Sequence, residues 1–359
     1  MTGHRFHVVD VFTRGGERFT GNQLAVFHDA ADADAAAALA LTRETNFSEC
    51  TFVDGPRADD GDGAGYDVRI FDPAEEIPFA GHPTLGTAAV LRELVGGGGG
   101  GGVSERDTGD PPDGPPDDLT LHLGVGPIDV WVEARDGREE YWMRQITPDL
   151  GGSVAPELVA PALGLDAADV DRRAPVRSVS TGLPTLVVPL TSVAAVERAA
   201  TTDPAYTDLL DAVGEHNLLV VARGGVDGGD LHARVFADYA GVPEDPATGS
   251  AAGCLAGWLL EHGWLGDGPV AATVEQGYEL GRPSRLRIRA ERDVDGAPAV
   301  EVGAASSPSP RDDCCSAGGR TRGSHARHQP RHAERLQHHP HEEHAVHGEQ
   351  RDRLGPVQL

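Results

Sequence analysis

The sequence predicts an α+β protein made of two related lobes. One pattern occurs twice in the same order: Arg, an aliphatic residue and Phe (69–71 and 234–236), then a proline, then P-x-x-G-[ST]-A-A (83–89 and 246–252). Each copy opens a segment of small and apolar residues with almost no polar face, which predicts a buried helix. The surrounding segments alternate apolar and polar residues, as strands do. Repetition of the whole order indicates a duplicated lobe.

The first copy lies among segments with clear local signals. Alternation and turn residues indicate strands, and a run of alanines indicates a helix that ends before a turn. In chain order we expect a strand at 5–12, a strand at 21–27, a helix at 33–42, a turn entering a strand at 46–53, a strand at 66–71 and a helix from 83 to 95.

The seven-glycine run 96–102 resembles a phosphate loop only in composition. It follows a helix and precedes the acidic, proline-rich segment 103–118, so we interpret 96–118 as a flexible insert. We place the lobe boundary near Asp118. The first lobe is then 1–118 and the second 119–303, with the strands near 285–303 as candidates to return to the first lobe.

The second lobe opens with three alternating segments that predict antiparallel strands. Further strands and two short helices precede the second copy of the pattern. The expected strands are 119–123, 128–134, 140–145, 185–190, 218–222, 231–236, 270–275 and 286–290, and the expected short helices are 156–163 and 204–216.

The character of the chain changes after Gly303. Residues 304–359 contain no Phe, Trp or Tyr, and they carry eight of the sixteen histidines. Low hydrophobicity without periodicity predicts disorder. Such Arg, His and Pro richness is typical of an out-of-frame extension of a GC-rich gene. An extension of this kind implies that the last native strand is truncated. The alternative is a metal-binding histidine tract at 338–347.

Composition excludes several classes of function. Hydrophobic residues make up 39% of the chain, and no run of them is long enough for a membrane helix. The N-terminus alternates like a strand and not like a signal peptide, so we expect a cytoplasmic protein. The four cysteines show no zinc spacing, and we predict no metal site.

The charge balance is strongly acidic. The formal net charge is −27, and all 30 basic residues are arginine. The absence of lysine excludes a P-loop lysine and a pyridoxal-phosphate Schiff base. The absence of a basic stripe argues against nucleic-acid binding. We interpret the lysine-free, acidic composition as adaptation to high salt, in which counterions screen self-repulsion. Codon bias of a GC-rich genome is the alternative.

Two titratable residues of the first half are candidates for proton transfer. Glu49 stands at a strand start beside Phe52, where partial desolvation would raise its pKa and suit it to act as base and then as acid. An ordinary edge-strand glutamate is the alternative. His82 precedes the helix-entry proline, where a histidine can also simply cap a turn.

The second copy offers the matching candidates. Asp245 precedes the helix-entry proline, as catalytic acid or as an N-cap. Ser250 and the backbone N–H groups of Gly249 and Ser250 would hold a substrate carboxylate at the positive end of the helix dipole. Gln276 and Gly277 either line the same cleft or form a turn. Two helix starts, each preceded by a titratable side chain, would thus face a common cleft.

Four motifs carry a resemblance to a known family. Residues 46–49 (N-F-S-E), 81–86 (G-H-P-T-L-G), 245–251 (D-P-A-T-G-S-A) and 275–277 (E-Q-G), preceded by Gly21 and Asn22, closely resemble the PhzF family of phenazine-biosynthesis-like proteins. The resemblance covers about residues 5–303. It implies a diaminopimelate-epimerase-like fold, in which each lobe is a curved, mostly antiparallel sheet or barrel around a central helix.

The resemblance also implies an activity. The phenazine-pathway member isomerises trans-2,3-dihydro-3-hydroxyanthranilate without a cofactor, and by that likeness Glu49 carries the proton. His82, Asp245 and Ser250 then belong to the substrate-binding and proton-transfer site, and the motifs add Asn22, Ser48 and Gly81 to the substrate-binding residues.

Three hypotheses for function remain open at this point. The first is a cofactor-independent isomerase of a small carboxylated substrate, which the family suggests is a homodimer. The second is an amino-acid epimerase or racemase in the same cleft; a thiol mechanism would require Cys50 and Cys254, although Cys254 falls a turn into the helix, where a core position is expected. The third is a ligand-binding protein without turnover, for which an acid-base set has no use.

Overall fold

The structure is a computed structural model that describes residues 4–28, 30–57, 64–96, 118–135, 137–214 and 216–308. Most of the predicted insert (97–117) and of the predicted tail (309–359), including the histidine tract, lies outside the described residues. Within the described part of the chain, no helix has the length and apolar character needed to cross a membrane.

Among its described residues, the first half of the fold contains eight strands and two helices. In chain order they are β1 (Phe6–Val11), β2 (Asn22–Phe27), α1 (Ala35–Thr45), β3 (Cys50–Pro56), β4 (Ala64–Phe71), β5 (Glu76–Ile77), α2 (Gly81–Gly96), β6 (Asp118–Leu123), β7 (Gly126–Arg135) and β8 (Arg138–Arg144).

The described part of the second half contains ten strands and four α-helices. They are β9 (Asp149–Val154), α3 (Pro156–Ala162), β10 (Val176–Ser180), β11 (Pro184–Pro189), α4 (Val193–Arg198), α5 (Ala205–Val213), β12 (Asn217–Arg223), β13 (Leu231–Ala237), a 3-10 turn (Asp238–Ala240), β14 (Val242–Asp245), α6 (Gly249–His262), β15 (Val270–Gln276), β16 (Ser284–Arg292), β17 (Pro298–Ala304) and β18 (Ser306–Pro308).

The strand pairing shows the duplication directly. In the first half, β1–β2 is antiparallel, β2–β3 parallel, β3–β4 antiparallel, β4–β6 parallel, and β6–β7 and β7–β8 antiparallel. In the second half, β10–β11, β11–β12, β12–β13, β13–β15, β15–β16 and β16–β17 repeat that order of orientations. The short strands β5 and β14 occupy the same place beside β4 and β13. The predicted fold class, α+β with two related halves, is confirmed.

The two halves are joined by hydrogen-bonded strands. Strand β8 of the first half pairs with β17 of the second, and β18 of the second half pairs with β1 of the first; β9 pairs with β10 within the second half. Strand β6, which opens the predicted second lobe, pairs in parallel with β4, and β6 pairs in turn with β7 and β7 with β8; the lobe boundary near Asp118 stays a prediction. The sheet also extends past Gly303 to Pro308, beyond the predicted end of the second lobe.

A central helix lies within each half. Helix α2 contacts β1, β2, β3, β6 and β8, and helix α6 contacts β10, β11, β15, β16 and β17. Each helix thus contacts five strands of its own half. Its side chains are buried on nearly every face, as their small size predicts. The apolar cluster that contains both helices is the main core, and α1 and the group α3–α5 cover two smaller clusters on the outside.

Candidate active site

The N-termini of the two central helices meet at a pair of glycines. A Cβ atom built on Gly81 would lie 2.7 Å from the Cα of Gly249, and one built on Gly249 would lie 2.9 Å from the Cα of Gly81. Any side chain at either position would collide with backbone. The two helix starts can therefore approach this closely only because both residues are glycine. The sequence predicts a role in substrate binding for both glycines. In the structure, the missing side chain at each one makes room for the backbone of the other.

The carboxylate of Asp245 is held by residues from both halves. Asn22 Nδ2 donates to Asp245 Oδ1 at 2.9 Å and to the carbonyl of Ala247 at 3.1 Å, and Thr248 Oγ1 donates to Asp245 Oδ2 at 2.5 Å. Gln276 Nε2 donates to the carbonyl of Asp245 at 2.8 Å. Both carboxylate oxygens of a buried side chain are thus fixed in position.

Glu49 and His82 complete a cluster of titratable groups around Asn22. Helix α1 ends at Asn46, whose φ of 56° turns the chain sharply toward Ser48 and Glu49 just before β3. His82 Nδ1 lies 3.5 Å from Glu49 Oε2 and 3.4 Å from Asn22 Nδ2. The Glu49 side chain keeps 20% of its surface exposed, whereas that of His82 keeps 3%. Glu49 is thus the member of the trio that retains access to solvent.

Burial controls the charge state of all three groups. Desolvation raises the pKa of Glu49 to about 7, and the pKa of Asp245 also rises to about 7, through desolvation and the nearby negative charge of Glu49. Desolvation lowers the pKa of His82 to about 4, so its imidazole is neutral at neutral pH. Both carboxyl groups therefore exchange protons near neutral pH, which suits general acid-base work.

Replacing Glu49 with Gln is expected to stabilise the protein increasingly as the pH rises. The folded-state pKa of Glu49 lies above its unfolded value of 4.5, so stability from the bound proton is present below 4.5 and is lost as the pH rises through about 7. Between pH 5 and pH 8 the advantage of Glu49→Gln over wild type should grow by roughly 1–3 kcal/mol in the free energy of unfolding. Urea denaturation at constant salt measures it. The exposed Glu44→Gln on α1 is the control, and a difference that does not change with pH would contradict the expectation.

The remaining predicted residues lie around this cluster. Ser48 Oγ donates to Asn22 Oδ1 at 3.4 Å, and Ser250 is buried at the start of α6, where its carbonyl accepts from Thr181 Oγ1 at 3.1 Å. Gly277 has a φ of +76°, and a Cβ there would lie 2.5 Å from the carbonyl oxygen of Pro246. Gly277 therefore supports the loop that carries Asp245.

Two contributions were missed by the sequence analysis. Thr248 stands at the N-cap of α6 but makes no side-chain cap hydrogen bond; its hydroxyl donates to Asp245 and accepts from Gln276 Nε2 at 3.0 Å. Arg282 donates to the buried carboxylate of Asp10 at 2.8 Å and to the carbonyl of Gly21 at 2.9 Å, and it thereby fixes the residue before Asn22. Thr248 occurs in the quoted motif 245–251, but no local pattern identifies the partners of either residue.

The two cysteines considered for a thiol mechanism lie in separate apolar clusters. Cys50 packs under α1, where Thr45 Oγ1 is 3.2 Å from its sulfur, and Cys254 lies in the main core beside Thr181. Burial raises the pKa of both thiols, which disfavours the reactive thiolate form.

Comparison with known proteins agrees with this architecture. The family described as phenazine biosynthesis-like protein matches residues 9–308. The trans-2,3-dihydro-3-hydroxyanthranilate isomerase of Pseudomonas aeruginosa is 35% identical over 302 residues, covering 83% of this chain and 95% of the relative. A solved structure described as a predicted epimerase from the same species is 33% identical, with a TM-score of 0.65 over 85% of this chain and 97% of its own. A PhzF-family protein of Bacillus anthracis, 23% identical, has a TM-score of 0.73 over 86% of this chain and 98% of its own.

Two repeated halves, each with a central helix whose N-terminus meets that of the other, define a diaminopimelate-epimerase-like fold. The relatives above include one named as an isomerase and one described as a predicted epimerase. The chain belongs to the PhzF family of phenazine biosynthesis-like proteins, and it is an isomerase.

Proposed function

We propose that the protein is a cofactor-independent isomerase that moves a proton within a small carboxylated substrate. The observation that carries the proposal is the cluster of Glu49, His82 and Asp245, assembled from both halves at the meeting point of the two central helices. Its two carboxyl groups have pKa values raised to about 7. The cluster contains the acid-base set that proton transfer needs and that a ligand-binding protein would not need.

In this proposal Glu49 is the proton carrier. Its ionised carboxylate takes a proton from one substrate carbon, and the electron pair moves through the adjacent double bond. The partly exposed carboxyl group exchanges its proton with solvent and delivers a proton to another carbon. No atom is gained or lost, so no oxidant or reductant is required. Its partial exposure, in contrast to buried His82 and Asp245, makes Glu49 the group accessible to substrate.

The other residues would bind and orient the substrate. The first turns of α2 and α6 provide N–H groups without intrahelical acceptors, at the positive ends of two helix dipoles, where a carboxylate is stabilised. Ser250, with the N–H groups of Gly249 and Ser250, would supply part of this contact. Asp245, held by Asn22 and Thr248, would face a polar substituent of the substrate.

Solvent deuterium incorporation tests the proposal. We expect the wild-type protein, after dialysis against a chelator, to convert trans-2,3-dihydro-3-hydroxyanthranilate in D₂O, with deuterium appearing at carbon as seen by NMR. This compound is the substrate in the name of the relative that is 35% identical. Absence of turnover and of exchange with dihydroaromatic carboxylates and amino acids alike would favour the ligand-binding alternative.

An amino-acid epimerase or racemase is the second candidate. The observation that favours it is the pair of carboxyl groups with raised pKa values, since inversion at carbon uses a base on one face and an acid on the other. The solved relative described as a predicted epimerase supports the same possibility. Carboxylates would have to serve, because Cys50 and Cys254 lie in separate apolar clusters. A chiral assay on amino acids in the same D₂O experiment separates the two reactions.

Three further properties belong to the proposal. We propose a homodimer, a cytoplasmic location and adaptation to high salt, the last supported by the net charge of −27. Light scattering across a range of salt concentrations would measure the oligomeric state.

A further inference from the structure

The repeated arginine makes the same clamp in both halves. Arg69 Nε and Nη2 donate to the two carboxylate oxygens of Glu76 at 3.0 and 2.7 Å, and Arg234 Nε and Nη2 donate to those of Glu244 at 3.0 and 2.7 Å. Each clamp ties a strand to its short neighbour, β4 to β5 and β13 to β14. A planar guanidinium that makes two parallel hydrogen bonds fixes both the orientation of the carboxylate and its distance.

The third nitrogen and the flat face of each arginine are used in the same way. Arg69 Nη1 donates to the carbonyl of Ala33 at 3.2 Å, and Arg234 Nη1 donates to the carbonyl of Ala199 at 2.6 Å. The guanidinium carbon lies 4.8 Å from the Phe71 ring centre in the first half and 4.9 Å from the Phe236 ring centre in the second. The R-x-F part of the duplicated pattern is thus one structural device that occurs twice.

The two clamps differ in burial. The side chains of Arg69 and Glu76 are 34% and 44% exposed, whereas those of Arg234 and Glu244 are both 10% exposed. An exposed ion pair contributes little, but removal of one partner from a buried pair leaves the other charge without compensation. The second clamp should therefore hold its strand far more firmly than the first.

The clamps also differ in their distance along the chain from the site. Glu244 directly precedes Asp245 at the end of β14, whereas residues 77–81 separate Glu76 from His82. Successive strand residues point to opposite faces, so a clamp on Glu244 from one face leaves Asp245 directed to the other. Backbone pairing of Val235 with Asp245 places the same two strands in register at this residue.

We infer that Arg234 is a positioning residue for Asp245: through Glu244 it fixes the end of β14, so that the Asp245 carboxylate meets Asn22 and Thr248. Arg69 makes the same hydrogen bonds to Glu76 in the first half, but it does not position a residue of the site. The functional part of this inference rests on the proposed isomerase activity, and its structural part does not.

Three variants and one destabilised control test the inference. Arg234→Met should lower kcat for deuterium incorporation at least about 30-fold with KM within about threefold, because misplacement of a reacting group acts on the bound complex. Arg69→Met should stay within about threefold of wild type in both constants. Glu244→Gln, which keeps the side-chain shape, should fall between them. Asp171→Ala removes the carboxylate that accepts from Trp264 Nε1 at 3.1 Å, another buried contact of the second half, and should lose stability with kcat unchanged at 25 °C.

Hydrogen exchange provides a readout that needs no substrate. In Arg234→Met and Glu244→Gln, amide exchange in residues 242–250 should accelerate at least about tenfold, and in Arg69→Met the same segment should match wild type. If Arg234→Met does not fold, Glu244→Gln carries the test. Unchanged exchange in 242–250 in Glu244→Gln, or a kcat loss in Arg69→Met equal to that in Arg234→Met, would overturn the inference. If exchange accelerates in the two variants but the wild type is inactive on every substrate tried, the positioning role stands and only the proposed function is refuted.

Discussion

Glu49→Gln is expected to reduce the rate of deuterium incorporation by at least about 10³-fold, with KM changed little. Glutamine has nearly the same size and can keep the contact with Ser48, but it cannot accept a proton at neutral pH. General acid-base catalysis by one group contributes about 10²–10⁴-fold, and in the proposed reaction the same group acts in both steps. NMR detection of carbon-bound deuterium in single-substrate kinetics measures the effect directly.

Two further variants make this result specific to Glu49. Glu44→Gln, on the exposed face of α1, should retain the wild-type rate. Asp245→Asn should lose less than Glu49→Gln, since Asn can still contact Asn22 and Thr248 while no longer exchanging a proton. A Glu49→Gln variant that keeps more than a tenth of the wild-type rate would exclude Glu49 as the proton carrier, and a larger loss in Asp245→Asn would transfer that role to Asp245.

The same pair of carboxyl groups links activity to stability. Asp245 has a raised pKa partly because Glu49 is negatively charged, so the two groups share the cost of burial in one site. A site of this kind is less stable at high pH than a neutral replacement, which is why Glu49→Gln should be more stable than wild type at pH 8 while inactive. Loss of activity together with gain of stability is the pattern expected of a functional group rather than a structural one.

Most of the fold could be predicted because its signals are local and occur twice. The R-x-F and P-x-x-G-[ST]-A-A patterns indicated a duplication, and strand orientations that repeat through β8 and β17 confirm it. Strand β5 has only two residues, and β9 contains Gly151 and Gly152, so neither shows the alternation of a strand. These strands depend on partners elsewhere in the chain, which no local pattern identifies.

The boundary at Asp118 illustrates a second limit of sequence. A glycine-rich, acidic segment usually separates domains, yet here it lies between α2 and β6 of one sheet. Strand β6 pairs in parallel with β4, and Tyr66 pairs with Leu121 across that segment, a contact that no local pattern reveals. Composition can indicate where a chain tolerates an insertion but not whether a domain ends there.

Site residues were predictable as a set, but their contacts were not. The motifs selected Asn22, Glu49, His82 and Asp245, and the structure brings these four together. Asn22 reaches Asp245 across 223 residues of chain, and the Thr248 hydroxyl donates to the same carboxylate while it accepts from Gln276. Such contacts follow from the docking of the two halves, and the roles assigned to these residues in catalysis stay predictions.

Gly81→Ala is expected to destabilise the protein by roughly 1–3 kcal/mol or more and to lower kcat by at least about 10²-fold. Glycine to alanine within a helix normally stabilises by up to about 1 kcal/mol, so the sign of the effect identifies its cause. The new Cβ would lie 2.7 Å from Gly249 Cα, 2.8 Å from Gly249 C and 2.9 Å from Ser250 N. All three atoms are backbone, so relief requires the two helix starts to move apart. Urea denaturation gives the stability, and the deuterium assay gives kcat.

Separation of the helix starts would act on the site as a whole. His82 follows Gly81, and Asn22 bridges from His82 to Asp245, so even a small shift of α2 lengthens contacts already at 3.4 and 3.5 Å. Gly152→Ala is the matched control, because a Cβ there meets nothing within 4 Å, and it should leave both stability and kcat near wild type. A Gly81→Ala variant as stable and as active as Gly152→Ala would show that the glycine contact is not what holds the two halves of the site together. Destabilisation with full kcat would show instead that the contact supports the fold but does not set the geometry of the acid-base cluster.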